Sequence, residues 1–323
     1  MPSTPRLQAA LLAAALLVSP VFGFDLQGHR GTRGLAPENT LPAFDRALAL
    51  GVTTLELDVA LTADGVLVES HDPFLNPVIT RDADGQWLDG SRGPLIKSLT
   101  LAQLRSYDVG RFRPGTRYAD SLPSQAAQDG TRVPTLAQVF ELARARKADV
   151  RFNIETKVFP DRPDDTVAPE VLTRAVLAVV QQAGMQARVT LQSFDWRSLA
   201  LVAEWAPQLP RAYLTTARTL KDSRWTAGLV AGNFASIPAL VQAAAGSGPA
   251  TVIWSPAFND LGAAQVQEAH ALKMLVLPWT VNQPADMARM LDLGVDGLIT
   301  DFPDVLRASM RERGMTLPAG GAR

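Results

Sequence analysis

The chain of 323 residues carries 31 basic and 32 acidic side chains, a formal net charge of −1, and 47% of its residues are hydrophobic. No Lys/Arg run stands out, which argues against a nucleic-acid partner or an anionic-membrane surface. The absence of cysteine removes disulfides, thiol nucleophiles, cysteine-zinc sites and a lipoprotein anchor in one step.

Residues 1–23, MPSTPRLQAALLAAALLVSPVFG, set Arg6 before an apolar run from Leu7 to Val18 and end on Val21-Phe22-Gly23. That run is too short to span a bilayer comfortably, so it reads as a secretory signal peptide, with an uncleaved anchor as the alternative. The mature chain is expected to be exported, periplasmic or secreted, and to begin near Phe24 with no stable membrane insertion.

Strand-like and helical runs then alternate. DLQGHRG is a strand, and ENTLPAFDRALALG is a helix closing on Gly51. TTLELDVALT is a strand that turns at Asp64-Gly65 into VLVESHDP. Helix PTLAQVFELARARK, strand VRFNIETK, helix PEVLTRAVLAVVQQAGM, strand RVTLQSF, helix DWRSLALVAEWAPQ and strand RAYLTT follow. The last part reads as strand ATVIWSPAF, a helix around GAAQVQEAHALK, strand MLVLPWT, helix ADMARMLDLG, strand DGLITDFP and helix PDVLRASMRERG. Eight β-to-α steps with no change of composition predict a single α/β domain over residues 24–316, a (β/α)8 TIM barrel. No G-x-G-x-x-G follows the first strand, which disfavours a doubly wound sheet. Residues 76–131 break the rhythm with four Gly-containing turns and one short helical piece, and are expected to form a loop-rich insertion at the barrel's C-terminal mouth. The tail, 317–323, is expected to be disordered.

The second strand is anomalous. Side chains alternate along a strand, so Leu55, Leu57 and Val59 face one way and Glu56 and Asp58 the other. Two inward carboxylates repel each other and lose hydration unless a cation or solvent compensates. VRFNIETK repeats the pattern, with Asn153, Glu155 and Lys157 on one face. If Glu155 reaches the same mouth, three carboxylates converge, an oxygen-only set suited to one divalent cation, Ca2+ or Mg2+. The simpler reading is a Glu155–Lys157 rim pair beside hydrated Glu56 and Asp58.

The chain has only three histidines. His29 and His71 each end a strand-like run, where a barrel displays its chemistry, whereas His270 lies within a helix and reads as a surface residue. Arg30 follows His29, and Gly28 and Gly31 around them would keep Cβ atoms out of an anion's path. Two imidazoles can exchange protons near neutrality, and Arg30 and Lys157 can hold phosphate oxygens. This equipment suits cleavage of a phosphodiester, whose alkoxide leaving group needs a proton. A glycosidase fits the cations poorly, and a zinc hydrolase lacks H-E-x-x-H.

The ordered set HRG-x-x-G-x-APENT, LELDV-x-LT-x-DG-x-LV-x-x-HD-x-x-L, N-I-E-x-K, PWTVN and DGLITDFP resembles the glycerophosphodiester phosphodiesterase family over essentially the whole mature chain. The resemblance implies a barrel that hydrolyses a small-molecule glycerophosphodiester to sn-glycerol 3-phosphate and an alcohol. It implies His29 and His71 as the acid/base pair, and Glu56, Asp58 and Glu155 as metal ligands. Arg30 and Lys157 would bind the phosphate and Trp279 would face the glycerol. Glu38 and Asn39 would support the first loop and the metal shell, unless they cap the following helix. Two other readings are a phospholipase D-like enzyme on intact lipids, which calls for an exposed apolar rim, and a binding protein that captures phosphodiesters without cleaving them.

Overall fold

Among the described residues nine strands form one sheet: β1 Asp25–Gly28, β2 Thr54–Leu61, β3 Leu67–Glu69, β4 Arg151–Thr156, β5 Val189–Ser193, β6 Arg211–Thr215, β7 Val252–Pro256, β8 Leu275–Val276 and β9 Gly297–Thr300. The coordinates are those of a computed structural model describing residues 23–319. Residues 1–22 of the expected signal segment therefore lie outside the described residues. Strand order is β8-β7-β6-β5-β4-β2-β1-β9, with parallel pairing throughout, and β3 pairs antiparallel with β2 off this path. The barrel closes where the chain after β8 meets β9. Asp296 N donates to Val276 O (3.0 Å), Ile299 N to Pro278 O (3.1 Å) and Val281 N to Ile299 O (2.9 Å).

The helices are α1 Leu41–Leu50, α2 Leu101–Leu104, α3 Arg117–Ser121, α4 Leu136–Ala145, α5 Pro169–Gln182, α6 Trp196–Trp205, α7 Ile237–Ala245, α8 Ala263–Ala271, α9 Pro284–Asp292 and α10 Pro303–Glu312. All but α2 and α3 follow a barrel strand, which gives the eight-fold α/β barrel expected. Helix α7 is absent from the pattern-based elements, although Ser236 caps it (Oγ accepts Ala239 N at 3.1 Å) and Pro238 opens its first turn. Its apolar residues run almost all round, IPALVQAAA, and so lack the two-sided contrast that marks a helix. Thr135 and Gln138 form a reciprocal capping box that starts α4.

Register decides what the interior holds. Outward residues Leu55, Leu57, Val59, Phe152 and Ile154 join α1 and α4 in the main apolar core. The inward face of β1, β2, β4 and β5 is polar. Asn153 Nδ2 donates to Gln27 Oε1 (2.9 Å) and Gln192 Oε1 (2.8 Å), and Gln192 Nε2 donates to Glu56 Oε1 (3.0 Å). On the opposite wall Ala212, Ile253 and Leu277 pack with Leu275 as a small apolar cluster. The barrel is thus half amide network and half hydrocarbon, and the amides pair with one another where water is excluded, with Asn153 Oδ1 left without a partner.

The insertion between β3 and α4 is more ordered than a set of turns. It has its own core of Leu75, Ile96, Leu104, Val109 and Val133 on Ala60 and Val68, and Arg81 ties Asp108 to Asp129. At the other end, the expectation of disorder from residue 317 does not hold at its start. Leu317 packs on the core, and Pro318 O accepts a hydrogen bond from Arg307 Nη1 at 2.9 Å. Residues 320–323 lie outside the described residues.

Phe140 of α4 meets Phe152 of β4 edge to face at 4.8 Å between ring centroids, and both rings are fully buried. Phe140→Ala leaves a cavity at that contact and is expected to cost about 3–5 kcal/mol, read as a lowered denaturation midpoint in urea.

Candidate active site

Strand β1 ends at Gly28, and His29 continues its ladder by donating N–H to Thr300 O (2.9 Å). The chain then turns sharply through Arg30 (φ 50°) and Gly31 (φ 84°). A Cβ on Gly28 would stand 2.0 Å from Gly31 O, and one on Gly31 would stand 2.8 Å from Ala43 C. The glycines therefore serve the tight turn and its approach to α1. This corrects the expectation that they clear a path for an anion.

His29 Nδ1 lies 2.6 Å from Asp301 Oδ1, and its Nε2 lies 4.0 Å from Glu56 Oε2. Asp301 is fixed in turn by Asn282 Nδ2 (2.7 Å) and Arg33 Nη1 (3.3 Å) on its other oxygen. Burial, the largest influence, lowers the His29 pKa, Arg30 and Arg33 lower it further, and Asp301 opposes them. The Asp301 carboxyl is pulled down to about 2 against its own burial by His29, Arg33 and Asn282.

Arg30 is buried. Its backbone N–H donates to Glu56 Oε2 (2.9 Å), its Nη1 to Glu38 Oε1 (2.6 Å), and its Nε lies 3.4 Å from Asp58 Oδ2. The ENT turn divides its work among three residues. Thr40 caps α1, Glu38 binds Arg30 and Arg33, and Asn39 (φ 52°) donates from Nδ2 to Asp58 Oδ2 at 2.9 Å. Support of the first loop and of Asp58, rather than helix capping, is what Glu38 and Asn39 provide.

The parallel register sets Asp58 beside Glu155 and Glu56 beside Asn153. Glu56, Asp58 and Glu155 are all buried and each offers an oxygen within 4.8 Å of the others. Burial and mutual repulsion raise Glu56 and Glu155, whereas Lys157, His71 and Arg30 hold Asp58 well below the carboxylate range despite its burial. Lys157 Nζ sits 2.7 Å from Glu155 Oε1 and 3.5 Å from Asp58 Oδ1. Asp58 Oδ1 accepts no hydrogen bond. Three hard oxygen donors with an unfilled lone pair and one ammonium between them fit a divalent cation and could hold one.

His71 lies two residues past β3, the hairpin partner of β2, and not on a barrel strand. Its Nδ1 is 3.2 Å from Asp72 Oδ1, and Asn76 Nδ2 holds the other Asp72 oxygen at 2.8 Å. Desolvation first, then Arg30 and Lys157, bring His71 down to about 4. Glu69 is buried with no partner on either oxygen, and its pKa is raised by burial and by Asp58 and Glu56. His270 is exposed and pairs with Asp296 at 2.9 Å, a surface residue as expected.

One cavity at the mouth is lined by His29, Arg30, Arg33, Glu56, His71 and Glu155 on one side and by Phe194, Leu214, Trp279 and Ile299 on the other. Trp279 donates Nε1–H to Ser255 O (2.9 Å) and meets Phe194 edge to face at 5.3 Å. Lys157 is not on this lining and meets the carboxylates from behind. Of the eight residues singled out for the site, seven face the cavity or ligate the carboxylate cluster directly, and Lys157 reaches it through Glu155 and Asp58. Sequence reasoning did not single out Asp301, Arg33, Asn282 and Tyr118. Asp301 was within reach, because it ends a barrel strand as Glu155 does. Tyr118, whose hydroxyl donates to Glu38 Oε2 at 2.6 Å, carried no local signal.

A barrel whose C-terminal mouth gathers two imidazoles, two guanidiniums and a buried carboxylate trio belongs with the enzymes that act on anionic esters. Comparison makes this specific. Residues 29–305 match the sequence profile of the Glycerophosphoryl diester phosphodiesterase family, and the chain belongs to that family. It is 30% identical over 291 residues to a glycerophosphodiester phosphodiesterase of Caldanaerobacter subterraneus, covering 88% of this chain and 97% of that one. A crystal structure from Silicibacter pomeroyi superposes with a TM-score of 0.82 at 36% identity, covering 92% of this chain and 96% of that one. An Oleispira antarctica phosphodiesterase, solved with the product sn-glycerol-3-phosphate, shares the fold at 23% identity and a TM-score of 0.63, covering 89% and 96%.

Asp301 raises the His29 pKa by charge and hydrogen bond, so Asp301→Asn removes the main influence opposing burial. The His29 pKa is expected to fall further below 6.5. An imidazole NMR titration reads this directly, since the chain holds only three histidines.

Proposed function

We propose that the protein hydrolyses glycerophosphodiesters to sn-glycerol 3-phosphate and an alcohol by acid/base catalysis from His29 and His71, with one divalent cation, Ca2+ or Mg2+, held by Glu56, Asp58 and Glu155. The observation that carries this reading is the placement of both imidazoles on one cavity with Arg30 and two of the three carboxylates. The relative solved with sn-glycerol-3-phosphate supports the product. The N-terminal run of residues 1–23 supports an exported location.

The residues divide the work as their surroundings dictate. The His29 Nδ1 bond to Asp301 leaves Nε2 to exchange a proton with the substrate, with Asp301 stabilising the imidazolium. Both imidazoles have lowered pKa values and are neutral at pH 7, so either can accept the proton of an attacking hydroxyl. The other, protonated as the anionic substrate binds, delivers a proton to the leaving alkoxide. Arg30, fixed by Glu38 and Asp58, presents its charge to the phosphate, and Lys157 adds a second positive charge behind the carboxylates. A bound cation supplies polarisation of the phosphate oxygens and neutralises the carboxylate trio. Trp279, Phe194, Leu214 and Ile299 form the apolar wall against which the carbon skeleton of the glycerol rests. Among the described residues the exposed large hydrophobics are Val171 and Val230, which do not make the apolar rim that an enzyme of intact lipids calls for.

Purified protein is expected to release glycerol 3-phosphate from glycerophosphocholine, to stop on chelation and to resume when Ca2+ or Mg2+ is returned. His29→Ala and His71→Ala should each lower kcat by at least about 100-fold. Tight binding without turnover under either metal would instead favour a capture protein.

The pH profile has a defined sign. A base whose pKa is lowered stays neutral to lower pH, so the acid limb of kcat/KM should set in only below about pH 6.5, the ordinary imidazole value, while the proton the other imidazole must carry makes kcat/KM fall again as pH rises. An acid limb centred above that value would contradict the roles given to the pair.

A further inference from the structure

The loop that carries Arg30, Arg33 and Glu38 is not held by the barrel alone. Residues 118–126 of the insertion strap its outer side. The Tyr118 hydroxyl donates to Glu38 Oε2 (2.6 Å), Gln125 Nε2 donates to Arg33 O (2.8 Å) and Ala126 N donates to Leu35 O (3.1 Å). The Tyr118 ring is set by the edge of Phe112 at 5.0 Å, and the Arg33 guanidinium stacks on it at 4.8 Å.

Glu38 divides its two oxygens between the site's guanidiniums. Oε1 accepts from Arg30 at 2.6 Å, and Oε2 accepts from Arg33 at 3.0 Å and from Tyr118. Arg33 then reaches Asp301 Oδ2 at 3.3 Å, and Asp301 Oδ1 holds the His29 ring at 2.6 Å. A carboxylate torsion is broad and poorly fixed by itself, so the direction of Glu38 is set by its donors. Removing one donor from a buried, charge-assisted set leaves an oxygen short of a partner and loosens both guanidiniums.

We propose that Tyr118 makes the insertion part of the catalytic apparatus: its hydroxyl fixes Glu38 and accepts a hydrogen bond from Arg30 Nη1 (3.3 Å), and Glu38 in turn fixes Arg30 and, through Arg33 and Asp301, the ring of His29. Tyr118 is a positioning residue that touches no substrate. This rests on the roles given above to Arg30 and His29. The coupling between Tyr118 and His29 exists whether or not glycerophosphodiesters are the substrate.

The test is Tyr118→Phe, which removes one oxygen and keeps the ring. In the full-length protein kcat/KM for glycerophosphocholine is expected to fall about tenfold, the size of one hydrogen bond to a charged group. The His29 ring signals should shift while those of His270 stay in place. In a Glu38→Gln background the same change should cost markedly less than in the wild type, because most of the path runs through Glu38 and only the direct Arg30 Nη1–Tyr118 hydroxyl bond (3.3 Å) bypasses it. Arg117→Ala, an exposed neighbour on the same short helix, should leave activity and the His29 signals unchanged. Four results would each overturn the proposal: a loss below twofold, losses that multiply with Glu38→Gln, an unmoved His29 signal, or an equal loss in Arg117→Ala. If the wild-type protein does not turn over glycerophosphocholine, the substrate assignment fails, yet the His29 shift and the Arg117 control still decide the positioning claim.

Discussion

Three carboxylates within 4.8 Å of one another inside a barrel is the constraint on which the rest of the site depends. Placed there without compensation they would repel one another and lose hydration together. The chain answers with two cations and several neutral N–H donors, and leaves Asp58 Oδ1 without a hydrogen bond. Lys157 meets Glu155 and Asp58, Arg30 meets Asp58, and the Arg30 backbone N–H meets Glu56. Asn39 and Gln192 add neutral donors. Each compensating residue lies on or just after the C-terminal end of a barrel strand, or in the turn before α1. The charges are therefore assembled by strand register, and a one-residue slip of β2 against β4 would turn Glu56 and Asp58 into the apolar layer.

That dependence on register explains what could be read from the sequence. In β2 and β4 the alternation of Leu55-Glu56-Leu57-Asp58 and Phe152-Asn153-Ile154-Glu155 announces both the strand and the direction of its charges, because period two is a local property. The eight-step rhythm announces the barrel for the same reason. Helix α7 escaped because a helix apolar on nearly all sides carries no polar stripe. The role of the glycines was misread because their neighbours, Gly31 O and Ala43, are brought against them by a turn whose shape no local pattern specifies.

Most of the residues that escaped notice share one property. Arg33 lines the cavity itself, whereas Asp301, Asn282 and Tyr118 act on the site through another side chain, at sequence separations of up to 272 residues. A residue that ligates or shuttles protons must be of a particular chemical type, and the type is visible. A residue that orients its neighbour need only be a donor or acceptor in the right place, and the place is set by tertiary structure. Tyr118 is the extreme case: it lies in a stretch whose turns and polar composition suggest only a loop, while its hydroxyl reaches the carboxylate that aligns two guanidiniums.

This division of labour bears on how the barrel and insertion can vary. The barrel supplies the carboxylates and His29 from strands whose apolar backs are locked into the main core, so their geometry tolerates little change. The insertion has a separate small core and touches the His29–Arg30 loop through a few polar contacts. Such contacts are directional and easily exchanged, whereas packed hydrocarbon is not. That core rests on Ala60 of β2 and Val68 of β3, so changes within it reach the carboxylate strand only through apolar packing. Changes at residues 118–126 are transmitted to Arg30 and His29 with nothing between to buffer them, because Glu38 has no spare oxygen and Asp301 none either.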